Sequence, residues 1–186
     1  LVCQLLFDWG TNEQKEKYLI PLAKGDKLGA YSLSEPQSGS DARNMRTFAE
    51  KNGAHYILNG TKNWVTSGQN SDVVIVFCLT EKGIGYKGIS AFIVGKEFKG
   101  LSVGKKEDKL GIRASDTCEL YFEDCQIPVE NLIGEEGQGF KIALRTLAGG
   151  RIGIASQALG IARASLDASV SYANERHQFN QAIGEF

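Results

Sequence analysis

The sequence of residues 47–68 is TFAEKNGAHYILNGTKNWVTSG. It contains two Asn-Gly steps, Asn52-Gly53 and Asn59-Gly60, and each lies between segments with β-branched or aromatic residues. Asn-Gly is the strongest short signal for a β-hairpin, because both central residues of a type I′ turn need a positive φ. The stretch therefore predicts a three-stranded meander.

The strand pattern continues toward the C-terminus. Segments of strand character lie near residues 72–79, 88–94, 101–103 and 116–122, with glycine-rich turns and no helical pattern between them. Consecutive short strands without helices are typical of an antiparallel sandwich or barrel. The middle of the chain is thus predicted to be all β, and the sequence leaves both architectures open.

Helical patterns flank this β region. Before it, apolar residues recur at helical spacing up to Gly10, and a capping-box pattern, Thr11 with Gln14, opens a second helix that ends at Gly25. After it, one apolar helical face begins at Phe140 and a longer one follows. The apolar positions of this longer helix are Ile152, Ala155, Leu159, Ala162, Leu166, Val170 and Ala173. The predicted class is α+β, and so long a face needs covering helices from another subunit or a longer chain.

The composition is that of an ordinary globular domain and excludes several classes of function. The 186 residues are 42% apolar and 23% charged, with a formal net charge of -1. A nucleic-acid or anionic-membrane partner would need a basic excess, which is missing. The longest apolar run, Val73 to Leu79, suits a buried strand and is far too short for a membrane span.

Four cysteines and two histidines argue against metal and disulfide chemistry. The cysteines show no CxxC spacing, so neither a zinc site nor a disulfide framework is predicted. Reduced thiols in an intracellular compartment are the favoured interpretation. The chain begins at Leu1, shows no signal-peptide pattern and starts with residues typical of mid-helix, so we expect it to be a fragment.

Three motifs have ordinary explanations. A G-x-G-x-x-G pattern at residues 83–88 precedes ISAFIV, a strand rather than the helix that a dinucleotide fingerprint requires, so it predicts a hairpin loop. The mixed charges of GKKEDKLGIR, residues 104–113, indicate a solvated connection. Glu35 follows no catalytic pattern, and a structural or capping role is favoured over that of a general base.

Two other stretches favour a ligand site. The loop YSLSEPQSGSD, residues 31–41, carries hydroxyls and Gly39 behind an apolar entry, and it is either a plain turn or a cradle for a polar ligand. In NWVTSG, Trp64 and Thr66 are two apart on a predicted strand, so both project to one face. An indole gives a flat apolar wall and a hydroxyl can bond a ring nitrogen, although a core tryptophan is the ordinary alternative.

Two arginines bracket the long predicted helix. Arg151 stands at its entrance and Arg176 near its far end. A single arginine is usually a surface ion pair, whereas two in this arrangement could hold phosphates bidentately. The pattern alone leaves both interpretations open.

Several of these motifs together resemble the flavin-dependent acyl-CoA dehydrogenases. SLSEPQSGSD is similar to the first signature of that family, and GTKNWVTSG is similar to the Gly-Thr-Lys-x-Trp-Ile-Thr segment that follows it. GKKEDKLGIR, YFEDCQIP, GEEGQGFKIAL and GRIGIASQALGIA continue in the family's order and resemble the short-chain, butyryl-type members. The resemblance covers essentially the whole chain.

The resemblance implies three parts and a reaction. Residues 1–27 would end an N-terminal helical domain, 28–134 would form the middle β-domain, and 135–186 would begin a C-terminal helical bundle. The family dehydrogenates an acyl-CoA between Cα and Cβ in fatty-acid β-oxidation, using FAD and passing electrons to an electron-transfer flavoprotein. It also implies a homotetramer and a mitochondrial matrix location, with a bacterial cytoplasm as the alternative.

The same resemblance assigns residues to a site. Ser34 would lie near the pyrimidine edge of the flavin, Trp64 would pack on the isoalloxazine, and Thr66 would bond near its reactive nitrogen. Arg151 would help bind CoA, and Arg176 would reach the FAD of a neighbouring subunit. The implied FAD-binding residues are Tyr31, Leu33, Ser34, Gly39, Ser40, Trp64, Val65, Thr66 and Arg176. The implied acyl-CoA-binding residues are Ser40, Gly150 and Arg151.

The chain departs from the family pattern at several positions. Gln37 stands where the family usually has glycine, and Ala148 stands where it usually has an aspartate that contacts CoA. The usual Arg-x-x-Phe-Gly ends with Asn180 here. The family's catalytic glutamate would lie beyond Phe186, so no catalytic residue is expected in this chain, and the isolated 186 residues are expected to be inactive.

Other functions fit the same scaffold. An acyl-CoA oxidase or a branched-chain relative would use oxygen or another acyl group. A protein of a different class would bind flavin or CoA, or act as an assembly scaffold, without catalysis. Reoxidation of the reduced flavin by oxygen or by electron-transfer flavoprotein separates the first of these from a dehydrogenase.

Overall fold

The computed structural model describes all residues from Leu1 to Phe186. Helices lie at both ends of the chain and strands lie between them, which confirms the predicted α+β class. By its internal contacts the chain divides into a first unit, Leu1–Thr146, and a second unit, Leu147–Phe186. The boundaries predicted near residues 27 and 134 stay predictions. No helix in the chain could span a bilayer.

The N-terminal helices form as the sequence predicts. The Thr11 hydroxyl accepts a hydrogen bond from the Gln14 N–H, and the Gln14 side chain accepts one from the Thr11 N–H, both at 3.2 Å. Gly25, with φ +84°, ends the helical run in the left-handed conformation that glycine favours. The elements are α1 (Val2–Trp9), α2 (Asn12–Gln14), a π-helical turn (Lys15–Leu19) and α3 (Ile20–Lys24).

The buried amide of Gln14 fastens these helices to the end of the β region. Its Nε2 donates to the carbonyls of Glu130 and Leu132 at 2.7 and 2.8 Å. Nearby, the Tyr18 hydroxyl bonds the Asn131 side chain, which in turn donates to the Ile93 carbonyl. The helices therefore pack on the sheet through satisfied polar contacts as well as apolar ones.

Eight strands of the first unit form one open sheet. Its order is β6-β7-β3-β2-β4-β5-β8, with β1 paired in parallel to β4 off this path. Most neighbours are antiparallel, as predicted, but the two ends of the path do not join, so the barrel alternative is excluded. The strands are β1 (Gly29–Ser32), β2 (Phe48–Asn52), β3 (His55–Thr66), β4 (Val73–Leu79), β5 (Ile89–Gly95), β6 (Leu101–Lys106), β7 (Thr117–Pro128) and β8 (Leu132–Ile133).

Strands β4 and β5 are buried on both faces. One face shares a core with β3 and β7, so the sheet folds over itself as two layers. The other face packs against α1 and the first turns of α4 (Gly139–Glu175). This double burial explains the uninterrupted apolar run VVIVFCL in β4, since neither face of the strand meets water.

Of the two hairpins predicted from Asn-Gly steps, one forms and one does not. At the first, Asn52 pairs with His55 and the loop is Gly53-Ala54, where only Gly53 has a positive φ, a type II′ rather than a type I′ pattern. At the second, β3 continues straight through Asn59-Gly60. The prediction of a turn there was wrong because these residues form an irregularity in a longer strand.

Partners outside the local sequence explain the irregularity. The Asn59 side chain donates to the Asp124 carboxylate and accepts from the Asp124 N–H, so it is fastened to β7. Gly60 has φ +148°, and a Cβ there would stand 2.7 Å from the Thr47 Cα. Glycine is thus required by a close approach of two strands and not by a turn.

The C-terminal helical region is one helix and not two. α4 runs for 37 residues without a break at Gly149-Gly150, so Arg151 lies inside the helix and not at its entrance as predicted. Glycine in a helix interior costs only about 1 kcal/mol, which a helix of this length tolerates. A short hairpin, β9 (His177–Gln178) with β10 (Gln181–Ala182), follows it in the second unit.

Candidate functional site

The two motifs that favoured a ligand site lie side by side in the first unit. The Asn63 N–H donates to the Ser34 carbonyl at 2.9 Å. The Lys62 ammonium donates to the Leu33 carbonyl at 3.0 Å. The main chain of the loop after β1 is therefore fixed to the C-terminal part of β3 by one main-chain N–H and one buried side chain, so its position does not depend on exposed side chains.

The loop itself is a tight turn. The N–H of Glu35 donates to the Ser38 carbonyl at 2.8 Å, and the N–H of Ser38 donates back to the Glu35 carbonyl at 3.0 Å. Pro36 occupies the position of the turn for which its fixed φ is suited. The Ser38 hydroxyl then donates to the Asp41 carbonyl at 2.9 Å, which holds the following residues.

The buried Glu35 carboxylate organises this turn. One oxygen accepts from the Arg46 N–H at 2.6 Å and from the Gln37 side chain at 2.7 Å. The other accepts from the Thr47 N–H at 3.1 Å and from the Lys62 ammonium at 2.8 Å. The side chains of Lys62 and Glu35 are 0% and 2% exposed, so the ion pair is fully withdrawn from water.

Burial and charge act on this pair in opposite senses. Burial by itself raises the pKa of the Glu35 carboxyl, but the charge and hydrogen bond of Lys62, with bonds from Arg46 and Thr47, hold that pKa below its ordinary value of 4.5. Burial lowers the pKa of the Lys62 ammonium, and Glu35 offsets part of that change. Glu35 is therefore ionised at neutral pH and accepts hydrogen bonds, in agreement with the structural role favoured from the sequence.

A bulge in β3 shapes the second motif. The register with β7 shifts between Lys62 and Val65, and Trp64 has a left-handed φ of 58°. Trp64 is 61% exposed, Val65 is buried in the core, and Thr66 is exposed. Trp64 and Thr66 thus share the exposed side, as predicted, but through a strained bulge and not a regular strand. Such strain costs about 1–3 kcal/mol and clusters at functional sites.

Asp116 holds the chain that leaves this bulge. Its carboxylate accepts from the Gln69 N–H at 3.0 Å and from the Asn70 side chain at 2.9 Å. Its carbonyl accepts from the N–H of Ser67, whose φ of 63° is also left-handed. The segment that displays Trp64 and Thr66 is fixed at both ends.

The remaining predicted residues of the first loop differ in their surroundings. Tyr31 is half-buried, and its ring packs on Phe77. Its hydroxyl donates to the Ala143 carbonyl at 3.4 Å, and burial raises the pKa of this hydroxyl. Leu33 packs at the edge of the helix-facing core. Gly39 has no left-handed φ and nothing within 4 Å of where a Cβ would stand, so the chain itself does not demand glycine there.

Val65 differs from the other predicted contacts in the first unit, and three predicted residues lie in the second unit. Because the Val65 side chain lies in the core, any ligand contact from this residue would come from its backbone. Gly150, Arg151 and Arg176 lie in the second unit, and both arginines are exposed. Their roles stay predictions.

Asn180, one of the departures from the family pattern, lies in a hairpin turn. The β9–β10 hairpin has Phe179 and Asn180 as its two loop residues, with φ of 50° and 67°. Asparagine tolerates the left-handed conformation better than other non-glycine residues. The asparagine therefore suits the conformation of this turn.

Lys62 is the residue that sequence reasoning missed. Tyr56 and Leu58 are buried, and strand alternation from them places Lys62 on the same core-facing side. A lone charged residue at a core-facing position requires a buried partner of opposite charge, which was the available signal. The partner, Glu35, is 27 residues away in sequence, and nothing local identifies it.

Comparisons with known proteins identify the family that the chain is similar to. The family model described as acyl-CoA dehydrogenase, middle domain, matches residues 30–125, and the one described as acyl-CoA dehydrogenase, C-terminal domain, matches residues 137–186. The short-chain-specific acyl-CoA dehydrogenase of Clostridium acetobutylicum is 53% identical over 186 residues, which are 100% of this chain and 49% of that protein. The chain thus spans about half the length of this relative.

Solved structures show the same relation. Butyryl-CoA dehydrogenase from Megasphaera elsdenii superimposes with a TM-score of 0.97 at 50% identity, covering 100% of this chain and 49% of that one. A chain in a structure described as the electron transferring flavoprotein of Acidaminococcus fermentans gives a TM-score of 0.97 at 51% identity, covering 99% and 48%. With the middle-domain model matching just over half of its residues, this chain belongs to the acyl-CoA dehydrogenase family.

Proposed function

We propose that this chain forms the flavin and substrate wall of an FAD-dependent dehydrogenase that acts on a short-chain acyl-CoA. The observation that carries the proposal is the attachment of the loop at residues 33–38 to the bulge at residues 62–66. The identity to short-chain and butyryl-CoA dehydrogenases supports the substrate class. The similarity to a chain in the electron transferring flavoprotein structure supports that flavoprotein as the electron acceptor.

Three features of the first unit fit an isoalloxazine ring. The Trp64 indole is exposed on a strained and fixed bulge, so it offers a flat apolar surface without further ordering. The exposed Thr66 hydroxyl beside it can donate to a ring nitrogen. At Gly39 the missing side chain leaves the main chain open to close approach. Bound FAD would supply the redox chemistry by accepting a hydride from the substrate.

The residues of this chain would bind the FAD and the acyl-CoA and orient them relative to each other. The proposed flavin contacts of the first unit come from the loop and the bulge; they are Tyr31, Leu33, Ser34, Gly39, Ser40, Trp64, Val65 and Thr66. Arg176 of the second unit is proposed to reach the FAD of a neighbouring subunit. Ser40, Gly150 and Arg151 are proposed to contact the acyl-CoA. Assembly as a homo-oligomer, and a mitochondrial matrix or bacterial cytoplasm location, are part of the same proposal.

The proposal is tested on the full-length protein. We expect it to purify with bound FAD, and butyryl-CoA to bleach the visible absorption of the flavin under anaerobic conditions. Electron-transfer flavoprotein should then restore that absorption much faster than oxygen does. Faster restoration by oxygen would identify an oxidase, and flavin that butyryl-CoA leaves oxidised would contradict short-chain dehydrogenation.

Replacing Trp64 or Thr66 should weaken FAD binding in the full-length protein. Loss of an aromatic contact costs about 0.5–1.5 kcal/mol beyond the lost buried area, so we expect Trp64→Ala to raise the FAD dissociation constant about tenfold. Thr66→Ala should mainly shift the flavin reduction potential. Phe7→Ala is the control, since Phe7 is 65% exposed against 61% for Trp64. Unchanged FAD affinity and potential in both variants would contradict the assignment.

A further inference from the structure

The buried Lys62–Glu35 pair lies where the loop meets the bulge. Lys62 is the last regularly paired residue of β3 before the register shift, and Trp64 follows two residues later. Glu35 is the first residue of the tight turn that follows Ser34. The pair therefore connects the two segments proposed to hold the flavin, and it does so from the core side of both.

Three links act on consecutive residues of the loop. Lys62 Nζ bonds the Leu33 carbonyl at 3.0 Å and the Glu35 carboxylate at 2.8 Å, and the Asn63 N–H bonds the Ser34 carbonyl at 2.9 Å. Contacts at three successive residues fix both the distance and the tilt of the loop relative to the strand. A single contact would leave the loop free to rotate about it.

The Glu35 carboxylate also holds a third segment, the residues directly before β2. Glu35 also accepts from the N–H groups of Arg46 and Thr47, the residues directly before β2. Thr47 in turn lies against Gly60 of β3, with no room for a side chain between them. The loop, the start of β2 and the end of β3 thus form one rigid junction around the pair.

Stability alone does not explain why the junction is charged. Replacing a buried ion pair by well-packed apolar residues is often neutral or stabilising. An apolar side chain at position 62 could fill the same volume, but it could not donate to the Leu33 carbonyl or direct the carboxylate. The charged pair instead fixes the position of the Leu33 carbonyl and of the Glu35 carboxylate relative to β3.

We propose that Lys62 and Glu35 are positioning residues that set the separation between Ser34 and the Trp64–Thr66 segment, and with it the affinity and electronic environment of the bound FAD. The inference rests on the proposed function. Neither side chain is exposed, so both act through the backbone of the residues that they hold.

The test is Lys62→Met in the full-length protein, with Asn131→Ala as a matched control. Methionine keeps most of the side-chain volume and removes the donor and the charge. Asn131 is 1% exposed and its side chain donates to the Ile93 carbonyl at 2.7 Å, so its loss destabilises the same unit outside both motifs. Each variant is assayed at a temperature where circular dichroism shows it fully folded.

Lys62→Met is expected to raise the FAD dissociation constant at least tenfold over the control and to shift the visible absorption bands of FAD at saturation. A dissociation constant within twofold of the control, with an unchanged spectrum, would overturn the inference. If Lys62→Met does not fold, the double variant Glu35→Gln/Lys62→Met, which buries no unpaired charge, is judged by the same two criteria.

The two proposals fail in different ways. Wild-type full-length protein that binds no FAD would refute the proposed function, and the inference would fall with it. Wild-type protein that binds FAD, with Lys62→Met behaving as Asn131→Ala does, would refute the inference alone.

Discussion

Glu35→Ala is expected to lower the free energy of unfolding by about 3–5 kcal/mol, the usual cost of leaving one member of a buried ion pair without its partner. Lys62 is 0% exposed and would lose the carboxylate that offsets its burial, so the amine would be buried either with an unpaired charge or without its proton. The Arg46 and Thr47 N–H groups would lose their acceptor. Urea denaturation followed by circular dichroism measures the change.

Asp167→Ala is the control for this prediction. Asp167 pairs with Arg163 at 3.0 Å on α4, but the two side chains are 61% and 75% exposed. Exposed pairs of this kind contribute little, so the denaturation midpoint should hardly move. Equal losses for Glu35→Ala and Asp167→Ala would show that burial of the Lys62–Glu35 pair has no energetic consequence.

Gly60→Ala should destabilise the protein by about 3–4 kcal/mol, through overpacking and a strained backbone together. The added Cβ would stand 2.5 Å from the Thr47 hydroxyl oxygen and 2.7 Å from the Thr47 Cα, and φ is +148°. Backbone cannot move aside as a flexible side chain can, so β2 and β3 would have to separate. Thermal or urea unfolding measures the loss.

Gly53→Ala is the control, because it introduces a side chain at a positive φ without crowding. Gly53 also has a positive φ, +61°, but nothing lies within 4 Å of a Cβ built there. Its replacement should cost about 1–2 kcal/mol from the left-handed backbone alone. The excess for Gly60→Ala, about 2 kcal/mol, reports the contact with Thr47 together with the less favourable φ of +148°, and an excess of zero would contradict the structural account of β3.

Short sequence motifs correctly predicted the features that depend on only a few adjacent residues. The capping box of Thr11 with Gln14, the left-handed Gly25 and the turn at Gly53 all form, because each depends on the conformational preferences of a few adjacent residues. The same logic failed at Asn59-Gly60. There the Asp124 side chain and the approach of Thr47 decide the geometry, and both lie far away in sequence.

The site was predictable in its parts and not in its assembly. Alternation along β3 placed Trp64 and Thr66 on one side, and composition marked the loop as polar. Residue patterns could not show that the Ser34 carbonyl meets the Asn63 N–H, because that contact depends on how β1 inserts beside β4 in parallel. The family resemblance links the two stretches, because both belong to signatures of one family.

The bulge at Trp64 could not be predicted from a pattern that alternates every two residues. An alternating pattern assumes a regular strand, yet Lys62 and Val65 are both buried three positions apart. The extra residue turns Trp64 outward with a left-handed φ. Long-range anchoring by Lys62 on one side and Asp116 on the other stabilises a conformation that local preference disfavours.

The attachment of Gln14 to the far end of the β region has a consequence for synthesis. The two carbonyls that its amide binds are 116 and 118 residues later in the chain. On the ribosome, Gln14 is therefore made long before the two carbonyls that it binds, and this attachment can form only after both have been made. The polar attachment made by Gln14 therefore belongs to the contacts that form late along the chain.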